Sequence, residues 1–300
     1  MRKKAIPVTL ELMPYLPLRT LPPRPLDAIS QAWLDRLAGR LAESSGDVVE
    51  HRSVICRDTL TELVFPQYAG RWEEAVQDEA IPLGTRLALS ALDPRNVTLE
   101  PEYYSDCDDA RFQPVKPLLW LWYSFDRTAV GGQNVGLGVA LRQLLAKYIF
   151  KRVGRNFKAF QHVEVTFGYN LEVGDDVVVH RHVLLDDRGG IRIGNKVSIS
   201  DYANIYSHTH SIVEQADVTN ALTVLDDGVR VTYHATVLAG VHVNEQGMVG
   251  AVAVATKDVR PYHVYVGIPA KSVRVKPNAP DPATILRTAD TRVARPVPEQ

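Results

Sequence analysis

Seven histidines fall between positions 162 and 242: His162, His180, His182, His208, His210, His234 and His242. An imidazole titrates near neutrality, with a pKa of about 6.5, so it can take a proton from a hydroxyl group and return it. A neutral imidazole is also a zinc ligand, and three of them around an open position make a catalytic metal site. His208 and His210 are separated by one residue, which on an extended segment points both rings to the same side. Asp186 and Asp187 carry carboxylates suited to orienting an imidazole or accepting from a hydroxyl. Cys56 and Cys107 lie outside this stretch. They form neither a metal-type pair nor a disulfide framework, which fits a reducing cytoplasm, and no nucleophilic role is assigned to them.

The elements that position these histidines are written as a repeat. Val153-Gly154, Val173-Gly174 and Ile193-Gly194 recur every 20 residues, and each 20 divides as six, six and eight. Hexads begin at Val153, Ala159, Val165, Val173, Val179, Leu185, Ile193, Ile199 and Ile205. After a break past His210 they resume at Leu225, Val231, Val237, Val243, Val249 and Ala255. Six residues are too few for a helix with a buried stripe but enough for a short strand and a corner. Three such strands make a triangular coil with the leading aliphatic residue inward, and coils stack as parallel strands about 4.8 Å apart. The fifth position of each hexad (Val177, Val183, Val197, Ala203, Ala235, Ala253) is small or Val and also faces the core. The expected fold is thus a parallel β-helix of about five coils over 153–260, with residues 211–224 projecting as a loop. The fourth position of the second hexad is His162, His182, Tyr202 and His234 in successive coils, which predicts a ladder of rings on one side, forming a wall of an acceptor or donor groove.

The rest of the chain is organised differently. Residues 1–25 are proline-rich and read as an extended lead-in. Residues 26–44 and 138–152 have the apolar spacing of amphipathic helices, and 117–125 is dense in aromatics. The domain reading is a mostly helical region over 1–150, the β-helix over 151–276, and a Pro-rich tail over 277–300. The helical region is expected to cover the open end of the column, whose edge strand would otherwise be exposed. With 34 Lys and Arg against 35 Asp and Glu, the chain offers no global charge for binding nucleic acid. No window provides the roughly 20 apolar residues of a membrane span, and the N-terminal Met1-Arg2-Lys3-Lys4 is not followed by an export signal's apolar run. The basic end of the 138–152 helix leaves room for a peripheral membrane or lipid-linked acceptor contact.

The stretch 193–276 resembles the hexapeptide-repeat family of left-handed parallel β-helix acyltransferases, in its sugar O-acetyltransferase-like branch. The resemblance is carried by Ile193-Gly-Asn-Lys-Val, Ser207-His-Thr-His210-Ser, Val237-Leu-Ala-Gly-Val, Thr256-Lys-Asp-Val259 and Val266-Gly-Ile-Pro-Ala-Lys271. It implies a homotrimer with acyl-CoA, acetyl-CoA in the first instance, lying between adjacent β-helices, and a sugar-like hydroxyl as acceptor. It also implies a histidine general base just before the projecting loop, which is His210 here, with His208 as its rival. His180 occupies a position where relatives carry an acceptor-contacting asparagine. The acceptor side is therefore expected to draw on His180, His182, Asp186, Tyr202 and His234. The donor side is expected to draw on Gly250, Ala251, Lys257, Lys271 and Arg274, small residues for the pantetheine arm and cations for the phosphates. Val229-Arg230-Val231-Thr232 and Gly250-Ala251-Val252-Ala253 depart from the family's usual Val-Trp-Ile-Gly and Gly-Ala-Gly-Ser. No metal is expected on this reading. The histidine count keeps a zinc hydratase on the same fold as the main rival, and a non-enzymatic trimeric scaffold as the second.

Overall fold

A computed structural model describes residues 24–43 and 46–280. The lead-in up to residue 23 and the tail beyond residue 280 lie outside the described residues.

Among the described residues of the first half lie seven α-helices: α1 (Ala28–Ala42), α2 (Val48–Val64), α3 (Trp72–Gln77), α4 (Leu83–Ser90), α5 (Asp109–Phe112), α6 (Lys116–Phe125) and α7 (Val135–Ile149). Side-chain caps set the starts of α1, α2, α5 and α7. Asp27 accepts from the backbone N–H groups of Ile29 and Ser30, Asp47 from those of Val49 and Glu50, and Asn134 from that of Leu137. Each cap satisfies N–H groups that have no partner within the helix. α6 is buried on nearly every side, with Leu118, Leu119, Leu121, Trp122 and Phe125 all at 1% exposure or less. It is the central rod of this region, packed between α2 and α7. The helix expected over 138–152 runs three residues earlier, as Val135–Ile149, because Arg152 and Val153 already belong to the first β-strand.

From Arg152 onward the chain winds as a parallel β-helix with three faces. The first face stacks Arg152–Val153, Leu171–Val173, Ile191–Ile193, Thr223–Leu225 and His242–Val243. The second stacks Lys158–Ala159, Val178–Val179, Ser198–Ile199, Arg230–Val231, Met248–Val249 and His263–Val266. The third stacks Glu164–Val165, Leu184–Asp186, Asn204–Tyr206, Thr236–Val237 and Val254–Ala255. Every leading residue of the hexads from Ala159 to Ala255 is at most 3% exposed, and the fifth-position residues are equally buried. Five coils are complete, and a sixth begins with Val259, which pairs with Val243, and continues through His263–Val266. The sequence reading stopped one partial coil short because the hexad register ends at Val259. The last strand, Lys271–Val275, runs antiparallel to His263–Val266 and covers the outer edge of the second face.

The corners have a common backbone device. The fourth hexad residue is left-handed at Asn156, His162, Asp176, His182, Lys196, Tyr202, His234, Gln246 and Val252. Between the first and second faces a side-chain chain holds the stack. Arg155 N–H donates to Asp175, Asp175 N–H to Asn195, and Asn195 N–H to Asp227, at 2.7–2.8 Å.

The helical region caps the first coil with side chains. Trp122 Nε1 donates to the Val163 carbonyl at 2.9 Å, the Tyr123 hydroxyl to the Val165 carbonyl at 2.6 Å, and Arg142 Nη1 to the Ala159 carbonyl at 3.2 Å. These are acceptors that a further coil would otherwise have satisfied. The covering of the column's end that the sequence suggested is thus built by α6 and α7.

Candidate active site

The break after His210 is an insertion with its own order. His208–His210 pairs antiparallel with Val218–Asn220, His208 lying opposite Asn220 and His210 opposite Val218. The expected loop 211–224 is therefore a hairpin whose return strand ends at Asn220, and by Thr223 the chain has re-entered the first face. The root of the hairpin is tightly held. Ala221 N–H donates to the Ser207 carbonyl at 2.8 Å, the Ser207 hydroxyl to the Asp186 carbonyl at 2.5 Å, and Gly189 N–H to Ser207 Oγ at 2.9 Å. A Cβ on Gly189 would lie 2.2 Å from the Ser207 carbonyl oxygen, so only glycine lets the corner approach the hairpin this closely.

This arrangement sets His208 against Asp186. The Nδ1–H of His208 donates a hydrogen bond to Asp186 Oδ2. Asp186 is buried, and its other oxygen has no partner among the described residues. A carboxylate on Nδ1 fixes the ring's orientation and leaves Nε2 as the free base nitrogen. His210 sits next to it, its ring edge-on to that of His208 with centroids 5.2 Å apart. It is exposed, and its Nδ1 donates to the Gln215 carbonyl at 2.8 Å. Both rings thus present Nε2 outward from the same strand.

A cavity of about 420 Å³ lies beside this pair, between the third face and the helical region. Its floor comes from Thr166, Leu184, Asp186, Tyr206 and His208, with His162 at one edge. Its roof comes from Leu99, Glu100, Tyr104, Trp120 and Tyr123. Such a volume is in the range of small-ligand sites. Tyr104 is pushed up to about 12 by desolvation and by its hydrogen bond to Glu100, and Tyr206 is raised by burial and the nearby Asp186. Both phenols therefore stay protonated; Tyr104 already donates its proton to Glu100, which leaves Tyr206 as the donor facing the cavity. Trp120 Nε1 has no partner among the described residues.

The aspartate next in sequence does different work. Asp187 is fully buried and accepts from the N–H groups of Phe167 at 2.7 Å and Asn170 at 3.0 Å, organising the turn below the cavity. Burial nevertheless raises its pKa to about 6.

The ladder forms as the register requires. Rings of His162 and His182, His182 and Tyr202, and Tyr202 and His234 stack with centroids 4.7, 4.7 and 4.8 Å apart. Each of these residues is held at a φ of 53–61°, which costs a side-chain-bearing residue roughly 1–2 kcal/mol. Ring stacking returns about 0.5–1.5 kcal/mol per pair, so the three pairs of the ladder offset roughly half of the strain of its four corners. His162 alone reaches the cavity. His182, Tyr202 and His234 run up the corner outside it, and His180 stacks on Phe160 at 5.1 Å on the second face, its pKa lowered by burial. Gly250, Ala251, Lys257, Lys271 and Arg274 gather on the last coils and the closing strand, and the three cations form no ion pair among the described residues. They lie two to three coils from His208, roughly 10–15 Å along the axis. Among the described residues no three His, Cys, Asp or Glu side chains are grouped to hold a metal ion, and no helix is long and apolar enough to cross a membrane.

Sequence reasoning missed the roof. Trp120 and Tyr123 lie in the aromatic stretch it singled out, but nothing local showed that they would face Asp186 across a cavity. His162 was placed in the ladder and not in the cavity.

No family model matches the chain. The galactoside O-acetyltransferase of Escherichia coli is 24% identical over 140 residues, spanning 45% of this chain and 69% of that protein. A maltose O-acetyltransferase structure from Clostridium difficile superposes with a TM-score of 0.50 at 21% identity, over 58% of this chain and 91% of that one. A hexapeptide-repeat-containing acetyltransferase from Vibrio cholerae gives a TM-score of 0.49 at 22% identity, over 60% of this chain and 94% of that one. The six-residue period, the triangular coils and the likeness to the maltose O-acetyltransferase structure show the fold of a left-handed parallel β-helix built from six-residue repeats. The relatives it matches in sequence and in fold are named acetyltransferases, among them the galactoside and maltose O-acetyltransferases above.

Proposed function

We propose that the protein transfers the acetyl group of acetyl-CoA to a hydroxyl of a sugar-like acceptor held in the cavity between the third face and the helical region. The observation that carries this reading is the Asp186–His208 pair opening onto that cavity. An alcohol is barely ionised at neutral pH, so its attack on a thioester needs a base. His208 Nε2 takes the hydroxyl proton while Asp186 stabilises the imidazolium that forms. The acceptor oxygen bonds to the thioester carbonyl carbon, giving a tetrahedral oxyanion that backbone N–H groups at a coil corner stabilise. Collapse breaks the carbon–sulfur bond, and the imidazolium returns its proton to the departing CoA thiolate. No covalent enzyme intermediate is needed. The aromatic and polar lining, with Trp120, Tyr104 and Tyr206 beside carboxylates, suits a molecule with apolar faces and hydroxyl edges, as a sugar ring has.

The CoA side draws on Gly250, Ala251, Lys257, Lys271 and Arg274, reached by the extended pantetheine arm. The active form is a homotrimer. The hairpin tip, where Ile212 and Val213 are at least 92% exposed, and the open corner at Tyr202, Tyr233 and Val252 are the apolar surfaces that a neighbouring copy would cover.

His210 is the second reading for the base. Its bond to the Gln215 carbonyl also fixes the proton on Nδ1, and it stands directly before the hairpin tip. The test is thiol release from acetyl-CoA in the presence of galactosides, maltose and longer oligosaccharides. Loss of the base lowers turnover by about 10²–10⁴-fold, and His208→Ala is expected to do so while acetyl-CoA still binds by calorimetry. Absence of any acetyl-CoA binding to the wild-type protein would overturn the proposal. A larger loss in His210→Ala would transfer the role to His210.

A further inference from the structure

Asp106 belongs to the segment that joins the roof turn Glu100–Tyr103 to α5, and nothing in its sequence neighbourhood marks it. Its carboxylate nevertheless joins three parts of the site. Arg188 Nε and Nη2 donate to its two oxygens at 3.0 and 2.7 Å. Asn220 Nδ2 donates to one of the same oxygens at 2.9 Å. Arg188 follows Asp186 and Asp187 on the corner beneath the cavity, and its guanidinium lies 4.3 Å from the ring centroid of Tyr104 in the roof. Asn220 is the residue directly opposite His208 in the hairpin. The carboxylate is thus bonded to the corner that carries Asp186 and to the strand that supports His208, and it sits on the segment that follows the roof turn.

We propose that Asp106 is a positioning residue, a latch that holds the histidine hairpin in register with Asp186 and with the roof of the cavity. Its role in turnover rests on the acetyl-transfer reading; its role in holding the hairpin does not. The hairpin needs such a hold. Its strands are three residues each, and a two-stranded hairpin of that length is marginal on its own. The bonds of Ser207 and Ala221 anchor its root, but beyond that root its described tie to the helical region is Asn220 to Asp106. A bidentate guanidinium–carboxylate contact fixes orientation as well as distance. Arg188 is 5% and Asp106 20% exposed at the side chain, so solvent screens the contact only weakly. Burial alone would raise the pKa of Asp106, but the hydrogen bonds from Arg188 and Asn220 outweigh it and hold the carboxyl below its ordinary range.

The test is amide hydrogen exchange on the full chain, read with acetyl-CoA turnover. Asp106→Ala is expected to speed exchange in 208–210 and 218–220 by at least tenfold, while the column amides around Ile199 and Val231 keep the wild-type rate. Asn220→Ala, at an exposed position, removes only the hairpin leg of the latch and is expected to reproduce the faster hairpin exchange with the fold intact. In both variants turnover at saturating acetyl-CoA falls about tenfold with the KM for acetyl-CoA unchanged. Unchanged hairpin exchange in both variants would overturn the latch. So would a rise spread evenly over the column, which marks general destabilisation. Exchange needs no acceptor, so failure to detect acetyl transfer would count against the proposed function and leave this test standing. Faster hairpin exchange with wild-type turnover would remove the catalytic role assigned to the latch.

Discussion

The column and its helical cap bury their cores by different means. In the column one tile is used again in each coil: an inward aliphatic, a small fifth residue, and a left-handed corner. Each tile meets its neighbours above and below, so stability accrues by stacking. In the cap each contact is made once. Arg142 and Asp126 form an ion pair at 1% and 2% side-chain exposure, Arg142 also reaches the Ala159 carbonyl, and Asp126 accepts from the His162 N–H at 2.7 Å. The difference teaches where specificity resides. The repeat supplies a rigid platform for Asp186 and His208, and the unrepeated cap supplies the roof above them, where the proposed acceptor would be selected.

Breaking one contact in each region tests this contrast. Asp126→Ala leaves Arg142 buried without its counter-charge, and truncating one partner of a buried pair costs about 3–5 kcal/mol. It also frees the first corner of the column, so urea denaturation should show loss of the cap ahead of the column. Ile199→Ala removes one tile from the middle of the stack, at a cost of about 2–5 kcal/mol, and should lower the column's transition with the cap's intact. A single coincident transition in both variants would show one cooperative unit and dissolve the distinction.

The two adjacent aspartates sharpen it further. The pKa of Asp187 is raised to about 6 in the folded protein from 3.8. A raised carboxyl means the folded state binds its proton more tightly. Its contribution to stability is full below about pH 4 and is lost as pH rises through about 6. Wild-type unfolding free energy is therefore expected to fall by up to about 3 kcal/mol between those values relative to Asp187→Asn, whose profile lacks this step. Equal slopes in the two proteins would contradict the assignment. The smallest effect is expected in the roof. Trp120→Ala should raise the acceptor KM about tenfold, close to 1.4 kcal/mol, with little change in turnover number. A fall in turnover number without a change in KM would mean that the roof does not hold the acceptor.

Legibility followed the same division. The column could be read because its inward positions recur every six residues, and the ladder of His162, His182, Tyr202 and His234 followed from the same register. What the period could not reveal is that these rings sit on left-handed corners, since that conformation usually announces itself through glycine. The insertion after His210 showed in the sequence as a break in the six-residue register, but its pairing was not visible. Thr209 and Thr219 face each other only because Ala221 returns to Ser207, a contact fixed by Gly189 on another coil. The choice between His208 and His210 depended on that geometry. Placement before the insertion pointed to His210, whereas the carboxylate and the cavity lie at His208. The roof was hidden because its partners are remote in sequence. Tyr123 meets Val165 across 42 residues and Arg188 meets Asp106 across 82, with no period linking them.

The central claim is that Asp186 and His208 act as one unit on the acceptor hydroxyl. A double-mutant cycle of Asp186→Asn and His208→Ala on acetyl transfer, with His210→Ala measured beside it, tests this most directly. Groups that act together are lost together, so the double variant should be no slower than His208→Ala alone, and His210→Ala should retain most of the activity. Additive losses from Asp186 and His208, or a collapse confined to His210→Ala, would contradict it.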